Sequence, residues 1–371
     1  MAYFVFWVMA NRFLAKLAER ITYFAFRFNL PVKFLIKRTV FGQFCGGENL
    51  AECRELIQVL TNSGVGSILD YAVEGGKSEQ EFDATAKIVK EVINEASKNE
   101  ALSFCVFKPT GVARFALLEK ASAKEEMTND ETEEFFRVKS RIKGICEAAY
   151  HHGVRVFIDA EESWIQNTID DIALEMMTAF NKHKPLVYTT VQMYRKDRLQ
   201  YLNDLYALAK QRNFFVGVKL VRGAYLEKER ERARRFGYES PLFDHKQGTD
   251  EAFDHAMAFC LKCIDHFSIC AGTHNQRSTI SLVSMMQQNN IAKQDKRVQF
   301  AQLLGMSDNL TFNLAHEGYN VSKYVPFGPV QKVLPYLSRR ANENSAIKGQ
   351  TSRELFLLGQ ELRRRLHGEN H

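Results

Sequence analysis

Short apolar segments recur along the chain, and segments with a helical pattern lie between them. Each apolar segment is rich in β-branched and aromatic residues and is short enough for a strand buried on both faces. There are eight of them, at residues 66–75, 101–111, 154–163, 186–194, 214–225, 268–275, 298–305 and 321–328. Helical patterns separate them, as at residues 78–98 and 137–153, and Gly153 is suited to cap the second. Eight strands that alternate with helices predict an α/β fold of the (βα)8 barrel type.

An open, doubly wound sheet is the alternative architecture for this alternation. Such sheets carry a GxGxxG turn after the first strand when they bind dinucleotides, and the sequence has no such turn there. The glycines of residues 64–70 precede a strand instead of following one. A phosphate loop of the form GxxxxGKS or GxxxxGKT is also absent. A barrel is therefore the favoured fold.

The composition is that of a globular protein, with 45% hydrophobic and 25% charged residues in a chain of 371. Seven cysteines, an odd number at irregular spacing, argue for a reducing compartment. Cys260 and Cys263 form a CxxC motif, but no second pair completes a zinc site, and we expect buried helical cysteines there. Because HxH and HExxH motifs are also absent from the sequence, we predict no metal site.

The net charge of +6 is concentrated in the first 40 residues, where seven basic residues oppose the single acid Glu19. The basic residues are Arg12, Lys16, Arg20, Arg27, Lys33, Lys37 and Arg38. The rest of the chain is neutral overall, which argues against nucleic acid as a partner.

The same 40 residues are rich in aromatic and aliphatic side chains. The apolar stretch at 3–10 is too short to span a bilayer and lacks the small-residue cleavage site of a secretory signal. Basic amphipathic helices bind anionic membrane surfaces, and they also occur as a helical layer packed on a larger domain. The two interpretations are compatible, and we expect peripheral membrane contact.

Polar side chains end each of the eight predicted strands. They are Asp70, Lys108, Asp159, Glu161, Glu162, Gln192, Tyr194, Lys219, Arg222, Thr273, His274, Asn275, Gln302 and Tyr324. In a barrel enzyme the active site lies where the strands finish. A single polar strand end is most often a surface residue, but eight of them together predict a lined pocket.

The charges at these strand ends indicate what the pocket binds. Asp159 and Lys108 each end a strongly apolar segment and could pair across the barrel, because an unpaired buried carboxylate is costly. Lys219 and Arg222 add two cations near the mouth. If the two glutamates that follow Asp159 point into solvent, the pocket has an excess of positive charge and is expected to bind anions.

A helical pattern near the carboxyl terminus, VLPYLSRRANENSA at 333–346, contains two adjacent arginines. Spacings of three and four residues put Tyr336, Arg339, Arg340 and Glu343 on one face of this helix. Two neighbouring guanidiniums repel each other unless an anion lies between them, so we expect an anionic ligand here.

From the residues alone, the sequence is interpreted as an anion-binding barrel enzyme without an identified cofactor. A Schiff-base lyase that uses Lys108 or Lys219 fits almost as well. A barrel scaffold held at a membrane by its basic segment is the non-enzymatic alternative.

Several long motifs, in order along the chain, resemble the proline dehydrogenase (proline oxidase) family. They are FIDAEES, GVKLVRGAYLEKER, AGTHN, QLLGM and KYVPFGPVQKVLPYLSRRANENSA, and the resemblance runs from about residue 40 to the end. It implies a distorted (βα)8 TIM-type barrel that binds FAD, oxidises L-proline to Δ1-pyrroline-5-carboxylate and passes electrons to a membrane quinone. No aldehyde dehydrogenase segment follows the barrel motifs, so we expect the monofunctional form.

The resemblance also implies roles for individual residues. Arg339 and Arg340 would clamp the carboxylate of proline, which suits bidentate, charge-assisted recognition. Other substrate-site residues would be Lys108, Asp159, Tyr225, Tyr324 and Tyr336. The implied flavin contacts are Gln192, Lys219, Arg222, Gly223, Ala224, Thr273, His274, Asn275, Gln302 and Glu343. Lys219 is a departure, because many bacterial members have an arginine at its position.

Tyr324 distinguishes two branches of the family. The branch that oxidises hydroxyproline tends to have a smaller residue there, which leaves room for a hydroxyl group. A tyrosine would crowd that hydroxyl, so we predict proline rather than trans-4-hydroxyproline as the substrate, with a hydroxyproline dehydrogenase as the alternative.

The sequence predicts three segments and a place in the cell. Residues 1–60 form a basic amphipathic helical segment, residues 61–350 the FAD-binding barrel, and residues 351–371 a basic helix or tail. We expect a cytoplasmic enzyme, peripheral on the bacterial inner membrane. The matrix side of the mitochondrial inner membrane is the alternative, because the first 40 residues are Arg-rich and acid-poor.

Overall fold

A closed barrel of parallel strands forms the centre of the fold. The computed structural model describes residues 2–11, 17, 21, 28, 31–346, 355–356, 358–361 and 363–364. In these residues eight strands close in the order of the sequence. They are β1 (Gly66–Tyr71), β2 (Leu102–Phe107), β3 (Val156–Ile158), β4 (Val187–Gln192), β5 (Val216–Val221), β6 (Phe267–Gly272), β7 (Val298–Leu303) and β8 (Val321–Phe327). The predicted (βα)8 barrel is confirmed.

Helices precede the barrel and connect its strands. In the described part of the chain they are α1 (Ala2–Ala10), α2 (Leu50–Asn62), α3 (Glu79–Ala96), α4 (Phe115–Ser122), α5 (Asn129–His152), α6 (Ser163–Phe180), α7 (Arg198–Arg212), α8 (Leu226–Phe236), α9 (Lys246–Lys262), α10 (Gln276–Gln288), α11 (Asp308–His316) and α12 (Val330–Ala346). Short helical turns occupy Lys33–Ile36, Lys37–Phe41, Gly42–Phe44 and Pro109–Gly111.

Local sequence signals fix where the helices begin and end. Helix α5 begins with a capping box, in which Thr128 and Glu131 bind each other's backbone N–H groups. It ends at Gly153, which has a φ of 66°, a left-handed conformation that costs glycine little. The helix end predicted at Gly153 is therefore confirmed.

Aromatic rings fill the inside of the barrel. The rings of Phe104 and Phe157 stack with centroids 4.2 Å apart, and Tyr188 meets both edge-on. Tyr188 Oη donates a 2.8 Å hydrogen bond to Ser268 Oγ. Because β4 and β6 are not neighbours in the sheet, this bond crosses the interior. The rings form a packed layer inside the barrel, and the polar groups lie on the side of this layer where the strands have their carboxyl ends.

The chain divides into two compact units. The first comprises Met1–Cys53, Leu303–Ser307 and Val325–His371, and the second comprises Arg54–Gln302 and Asp308–Tyr324. Within the first unit α1 packs against α12, and Gly47 pairs with Phe327. Lys33 and Lys37 form ion pairs with Glu48 in the same unit. Two of the predicted basic residues are thus neutralised locally.

Several basic residues of the predicted terminal segments lie outside the described ranges. Arg12, Lys16, Arg20 and Arg27 lie outside the described residues, as does most of 351–371. No helix in the described ranges is both long enough and apolar enough to cross a membrane.

The cysteines are largely buried, as the sequence led us to expect for the CxxC motif. Cys260 lies in α9 and is fully buried, whereas Cys263 caps the end of that helix and is only half-buried. All seven cysteines are free thiols.

Candidate active site

Four charged side chains meet at the carboxyl ends of the strands, all within the second unit. Asp70 comes from β1, Lys108 follows β2, Asp159 follows β3, and Lys219 comes from β5. Lys108 Nζ lies 3.0 Å from Asp70 Oδ2 and 3.9 Å from Asp159 Oδ2. Lys219 forms an ion pair with the other oxygen of Asp159, Oδ1. All four side chains are buried. We call Asp70, Lys108, Asp159 and Lys219 the charge quartet.

Asp159 accepts hydrogen bonds at both of its carboxylate oxygens. Tyr324 Oη donates to its Oδ2 at 2.8 Å, and Thr190 Oγ1 donates to its Oδ1 at 3.0 Å. The sheet register pairs Thr190 with Lys219, which brings these two donors to the same oxygen. Burial alone would raise the pKa of Asp159, but the two lysines and the hydrogen bonds outweigh it, and the pKa is lowered. Asp159 is therefore held as a carboxylate.

Aromatic rings surround the Lys219 ammonium. Lys219 Nζ lies 5.0 Å from the ring centroid of Phe157 and 4.9 Å from that of Tyr324. Cation–π attraction and the ion pair with Asp159 together compensate the burial of this charge. Burial raises the pKa of Tyr324 well above its usual value, and the neighbouring carboxylates add to the effect. Tyr324 is thus a neutral hydrogen-bond donor.

The structure confirms one expectation about these charges and adds to it. Lys108 pairs with Asp159 across the barrel at 3.9 Å, and it has a second, closer partner in Asp70 at 3.0 Å. Asp70 ends β1 in the same way that Asp159 ends β3, so the pattern was visible without revealing the contact. The excess of positive charge was expected only if Glu161 and Glu162 point into solvent, and both are buried instead.

The two glutamates have different partners. Glu161 accepts hydrogen bonds from Thr110, at 2.8 Å from the backbone nitrogen and 2.5 Å from the hydroxyl. These bonds tie the segment after β3 to the segment after β2. Glu162 pairs with Lys228 at 2.7 Å. Burial raises the pKa of Glu161 to about 8, and the nearby Glu162 contributes. At neutral pH Glu161 is therefore mostly protonated, and Glu162 is paired with Lys228, so neither glutamate adds an unpaired negative charge to the site.

Arg222 organises the ends of β5 and β6. Its Nε lies 2.5 Å from Asp250 Oδ1, its Nη1 donates to Thr273 Oγ1 at 2.6 Å, and its Nη2 donates to Ser278 Oγ at 2.9 Å. The guanidinium also lies over the ring of Phe253, 4.4 Å from its centroid. Asp250 and Ser278 had no signal in the sequence, because they lie inside helices that are far from β5 along the chain.

The other predicted flavin residues cluster around the same strand ends. Asn275 caps α10 by accepting from the backbone nitrogens of Arg277 and Ser278, and His274 beside it is half-buried. Gln302 Nε2 donates to the backbone oxygen of Thr273 at 3.2 Å. In the second unit the structure therefore brings the β6 and β7 candidates together.

Gln192 lies between the segments that follow β3 and β5. Its Nε2 donates to the backbone oxygen of Glu161 at 2.6 Å, and its Oε1 accepts from the backbone nitrogen of Ala224 at 3.2 Å. The neighbouring Gly223 has a φ of 129°. A Cβ atom there would lie 2.5 Å from the ring of Tyr194. Only glycine fits this position without displacing Tyr194.

The remaining predicted residues fall in different places. Tyr225 is buried in the second unit, with the Lys228 ammonium 5.5 Å from its ring centroid. Tyr336, Arg339 and Arg340 lie on α12 in the first unit. The Arg340 guanidinium lies over the ring of Tyr336, 5.0 Å from its centroid, so these two share a helix face. The side chain of Glu343 lies outside the described part of the chain.

No metal site accompanies these residues. Across the described ranges, no group of three or more His, Cys, Asp and Glu side chains is arranged to hold a metal ion.

Comparisons with known proteins identify relatives of this chain. A family model described as proline dehydrogenase matches residues 53–353. A mitochondrial proline dehydrogenase 1 from Dictyostelium discoideum is 33% identical, over 91% of this chain and 66% of its own length. The carbapenem antibiotics biosynthesis protein CarD from Pectobacterium carotovorum subsp. carotovorum is 35% identical, over 88% of this chain and 84% of its own length.

A solved structure supports the same fold. Proline utilization A (PutA) from Bdellovibrio bacteriovorus, inactivated by N-propargylglycine, superposes with a TM-score of 0.74. The match covers 84% of this chain and 33% of the PutA chain, at 20% identity. The chain thus spans a third of PutA and just under two thirds of the Dictyostelium protein.

Proposed function

The chain belongs to the proline dehydrogenase family, and we propose that it is an FAD-dependent enzyme that oxidises L-proline to Δ1-pyrroline-5-carboxylate. The observation that carries the proposal is the charge quartet with Tyr324, a buried polar site at the carboxyl ends of the strands of a family barrel. We assign the catalytic barrel to residues 61–350. The terminal segments at 1–60 and 351–371 flank it, and we assign residues 1–40 to membrane contact.

The donors around β5 and β6 suit FAD. Phosphate groups bind at helix N-termini and beside guanidinium groups, and α10 begins next to Thr273, His274 and Arg222. Gln192 and Gln302 offer side-chain amides at neighbouring strand ends. Gly223 is assigned to the flavin by the family resemblance, and its missing Cβ lets the Tyr194 ring pack against the turn that follows β5. We assign Lys219, Ala224, Asn275 and Glu343 to the same cofactor, as the family resemblance implies. Bound FAD supplies the acceptor for the hydride that leaves C5 of proline.

Lys219 has a second task in this assignment. Its ammonium pairs with Asp159 and lies about 5 Å from the centroids of two aromatic rings, those of Phe157 and Tyr324. An arginine at this position would reach farther and present a broader set of donors. We infer that the main work of Lys219 is to keep Asp159 ionised and in place, and that its flavin contact is the lesser one.

The family resemblance carries the assignment of the substrate-binding arginines and tyrosines. Arg339 and Arg340 bind the carboxylate of proline by charge-assisted hydrogen bonds. Tyr225, Tyr324 and Tyr336 line the pyrrolidine ring. Lys108 and Asp159 fix the polar side of the site, and these contacts together orient C5 for hydride transfer.

A proton must leave the ring nitrogen before the hydride is transferred. The pKa of Asp159 is lowered by its two lysines against the effect of burial, so this carboxylate is a weak base. Lys108 is held by Asp70. We therefore assign the proton to water and not to a strong protein base.

Electrons then pass to a membrane quinone, and the amino-terminal segment is the part suited to reach it. Phe34 and Leu35 are 65% and 64% exposed, and Trp7 is 51% exposed. Exposed aromatic and aliphatic side chains beside basic residues favour the interface of an anionic membrane. We propose peripheral attachment, either to a bacterial inner membrane or to the matrix side of the mitochondrial inner membrane.

The deciding experiment is a visible absorption spectrum of the purified protein, reconstituted with FAD and mixed with L-proline without oxygen. Flavin bands that bleach with proline support cofactor and substrate together. Bands that persist would refute the substrate, and a protein that does not take up FAD would refute the cofactor. A Schiff-base lyase would instead be colourless and become trapped on its substrate by borohydride.

A further inference from the structure

Asp70 is the most deeply buried member of the charge quartet, with no exposed surface. Its Oδ2 accepts the shortest contact that Lys108 makes to a carboxylate of the quartet, at 3.0 Å against 3.9 Å for Asp159. The family resemblance assigns no role to Asp70. A carboxylate this deeply buried is retained only when a partner compensates its charge, and removal of either partner is then costly.

The quartet alternates in sign, which makes its members depend on one another. The contacts run from Asp70 to Lys108, from Lys108 to Asp159, and from Asp159 to Lys219. Burial raises the pKa of Asp70, Lys108 opposes this rise, and Asp159 adds to it. The pKa of Asp159 is shifted in the opposite direction. The two carboxylates of the quartet are therefore in different electrostatic environments, in accord with their different partners.

We propose that Asp70 is a positioning residue for the oxidation reaction: it holds the Lys108 ammonium away from Asp159 and so reserves Asp159 for Lys219 and Tyr324. The inference rests on the proposed function, because it gives Asp70 a part in the same site.

The geometry shows why the position of Lys108 matters. Both Lys108 and Tyr324 face the same oxygen of Asp159, Oδ2, and Tyr324 is the nearer at 2.8 Å. The Tyr324 hydroxyl also has a hydrogen bond with Asp70, so Asp70 holds both groups that meet at Asp159. Without the carboxylate of Asp70, Lys108 has Asp159 as its nearest anion in the quartet. The ammonium would move onto Oδ2 and compete with the Tyr324 hydroxyl. Tyr324 lines the substrate in the proposed function, so the disturbance reaches the substrate although Asp70 does not touch it.

A double-mutant cycle tests whether Asp70 acts on the reaction through Lys108. Asp70→Asn, Lys108→Met and the double variant are compared with the wild type, all loaded with FAD, for kcat and KM with L-proline and for the free energy of unfolding in urea. In the wild-type background we expect Asp70→Asn to lower kcat/KM by about tenfold or more. In the Lys108→Met background the same substitution should change kcat/KM by less than about threefold, because only the direct contact of Asp70 with Tyr324 is then left to lose.

Asp295→Asn is the matched control. Asp295 also pairs with a cation, Arg297, at 2.7 Å, but it lies before β7 at the opposite end of the strand from the site. This substitution should lower the free energy of unfolding and leave kcat/KM unchanged.

The outcomes separate this inference from the proposed function. Effects of Asp70→Asn that are additive with Lys108→Met in both measurements would overturn the inference. If the two substitutions are coupled in the free energy of unfolding but additive in kcat/KM, Asp70 is only a structural partner of Lys108, and the inference is overturned as well. If proline does not reduce the wild-type flavin, the proposed function fails, and the part of Asp70 in the reaction fails with it. If the two substitutions are nevertheless coupled in the free energy of unfolding, the Asp70–Lys108 contact is supported and only the proposed function is wrong.

Discussion

Tyr324 and Asp159 are joined by a 2.8 Å hydrogen bond from Oη to Oδ2, between β8 and the end of β3. The tyrosine is 8% exposed, and so is the aspartate. A hydrogen bond to a buried charged group contributes about 1.5–3 kcal/mol, so this bond fixes the ring of Tyr324 as well as the carboxylate. The position of that ring is the basis of the first prediction.

Substrate choice should depend on the bulk of Tyr324 and not on its hydroxyl. Wild type should have a higher kcat/KM for L-proline than for trans-4-hydroxyproline. Tyr324→Ser removes the ring and should raise the ratio of kcat/KM in favour of hydroxyproline. Tyr324→Phe is the control: it loses the bond to Asp159 and should lower both rates, but it keeps the ring and therefore the preference. Equal efficiency of the wild type on both substrates would refute the assignment.

The proton on Glu161 should make stability depend on pH. Its folded pKa of about 8 lies above the ordinary 4.5, so between these values the folded protein holds a proton that the unfolded chain has lost. Stability therefore falls as pH rises through this window, by up to about 1.4 kcal/mol per pH unit, and is constant above it. Glu161→Gln, which resembles the protonated acid, should lack this fall. Urea unfolding from pH 5 to 9 measures the difference, and parallel curves for the two proteins would contradict it.

Gly223→Ala should impair flavin binding more than its backbone conformation alone explains. An added Cβ would lie 2.5 Å from the Tyr194 ring, in addition to the strain of a positive φ. Gly237→Ala is the matched control, because Gly237 also has a positive φ but nothing lies within 4 Å of the added Cβ. The control should lose about 1–2 kcal/mol of stability and keep its FAD. The ratio of flavin to protein absorbance gives the answer, and equal FAD content in both variants would count against Gly223 as a flavin contact.

The two adjacent arginines should determine the affinity for the substrate carboxylate. Arg339→Lys and Arg340→Lys keep the charge but lose the bidentate donor geometry, so KM for proline should rise by about tenfold or more. The exposed Arg234 on α8 is the control, and Arg234→Lys should leave KM unchanged. Steady-state kinetics with a soluble electron acceptor measures both values. If KM is unaltered in both the Arg339 and the Arg340 variant, these arginines do not bind the carboxylate of proline.

Membrane contact should depend on exposed apolar residues near the amino terminus. The double variant with Phe34→Asp and Leu35→Asp adds charge where both side chains are about two thirds exposed, and it should lose binding to anionic vesicles. Phe136→Asp is the control, since Phe136 is 71% exposed but lies on α5 of the barrel unit. Deletion of residues 1–40 should have the effect of the double variant. Full retention on vesicles after the deletion would exclude this segment as the membrane contact.

The hydrophobic pattern of the sequence was sufficient for the architecture. A strand buried on both faces appears in the sequence as a short apolar segment. An amphipathic helix appears as apolar residues that recur with a period of 3.6 residues, so both signals are local. The capping box at Thr128 and the glycine at 153 are equally local, because they satisfy backbone groups within a few residues. The polar residue at each strand end was visible for the same reason, and the barrel topology then required those ends to meet.

The partners within the site were decided only by the tertiary structure. Asp70 and Lys108 are 38 positions apart, and Arg222 and Ser278 are 56 apart, so no spacing rule connects them. The register between strands and the tilt of the barrel determine which carboxylate a lysine reaches, and for Lys108 it is Asp70 before Asp159. The sequence left the burial of Glu161 and Glu162 open for the same reason, because whether a polar side chain points into the barrel depends on what packs over it. Sequence determines which groups stand at the ends of the strands, and packing determines which of them share a proton, a charge or a hydrogen bond.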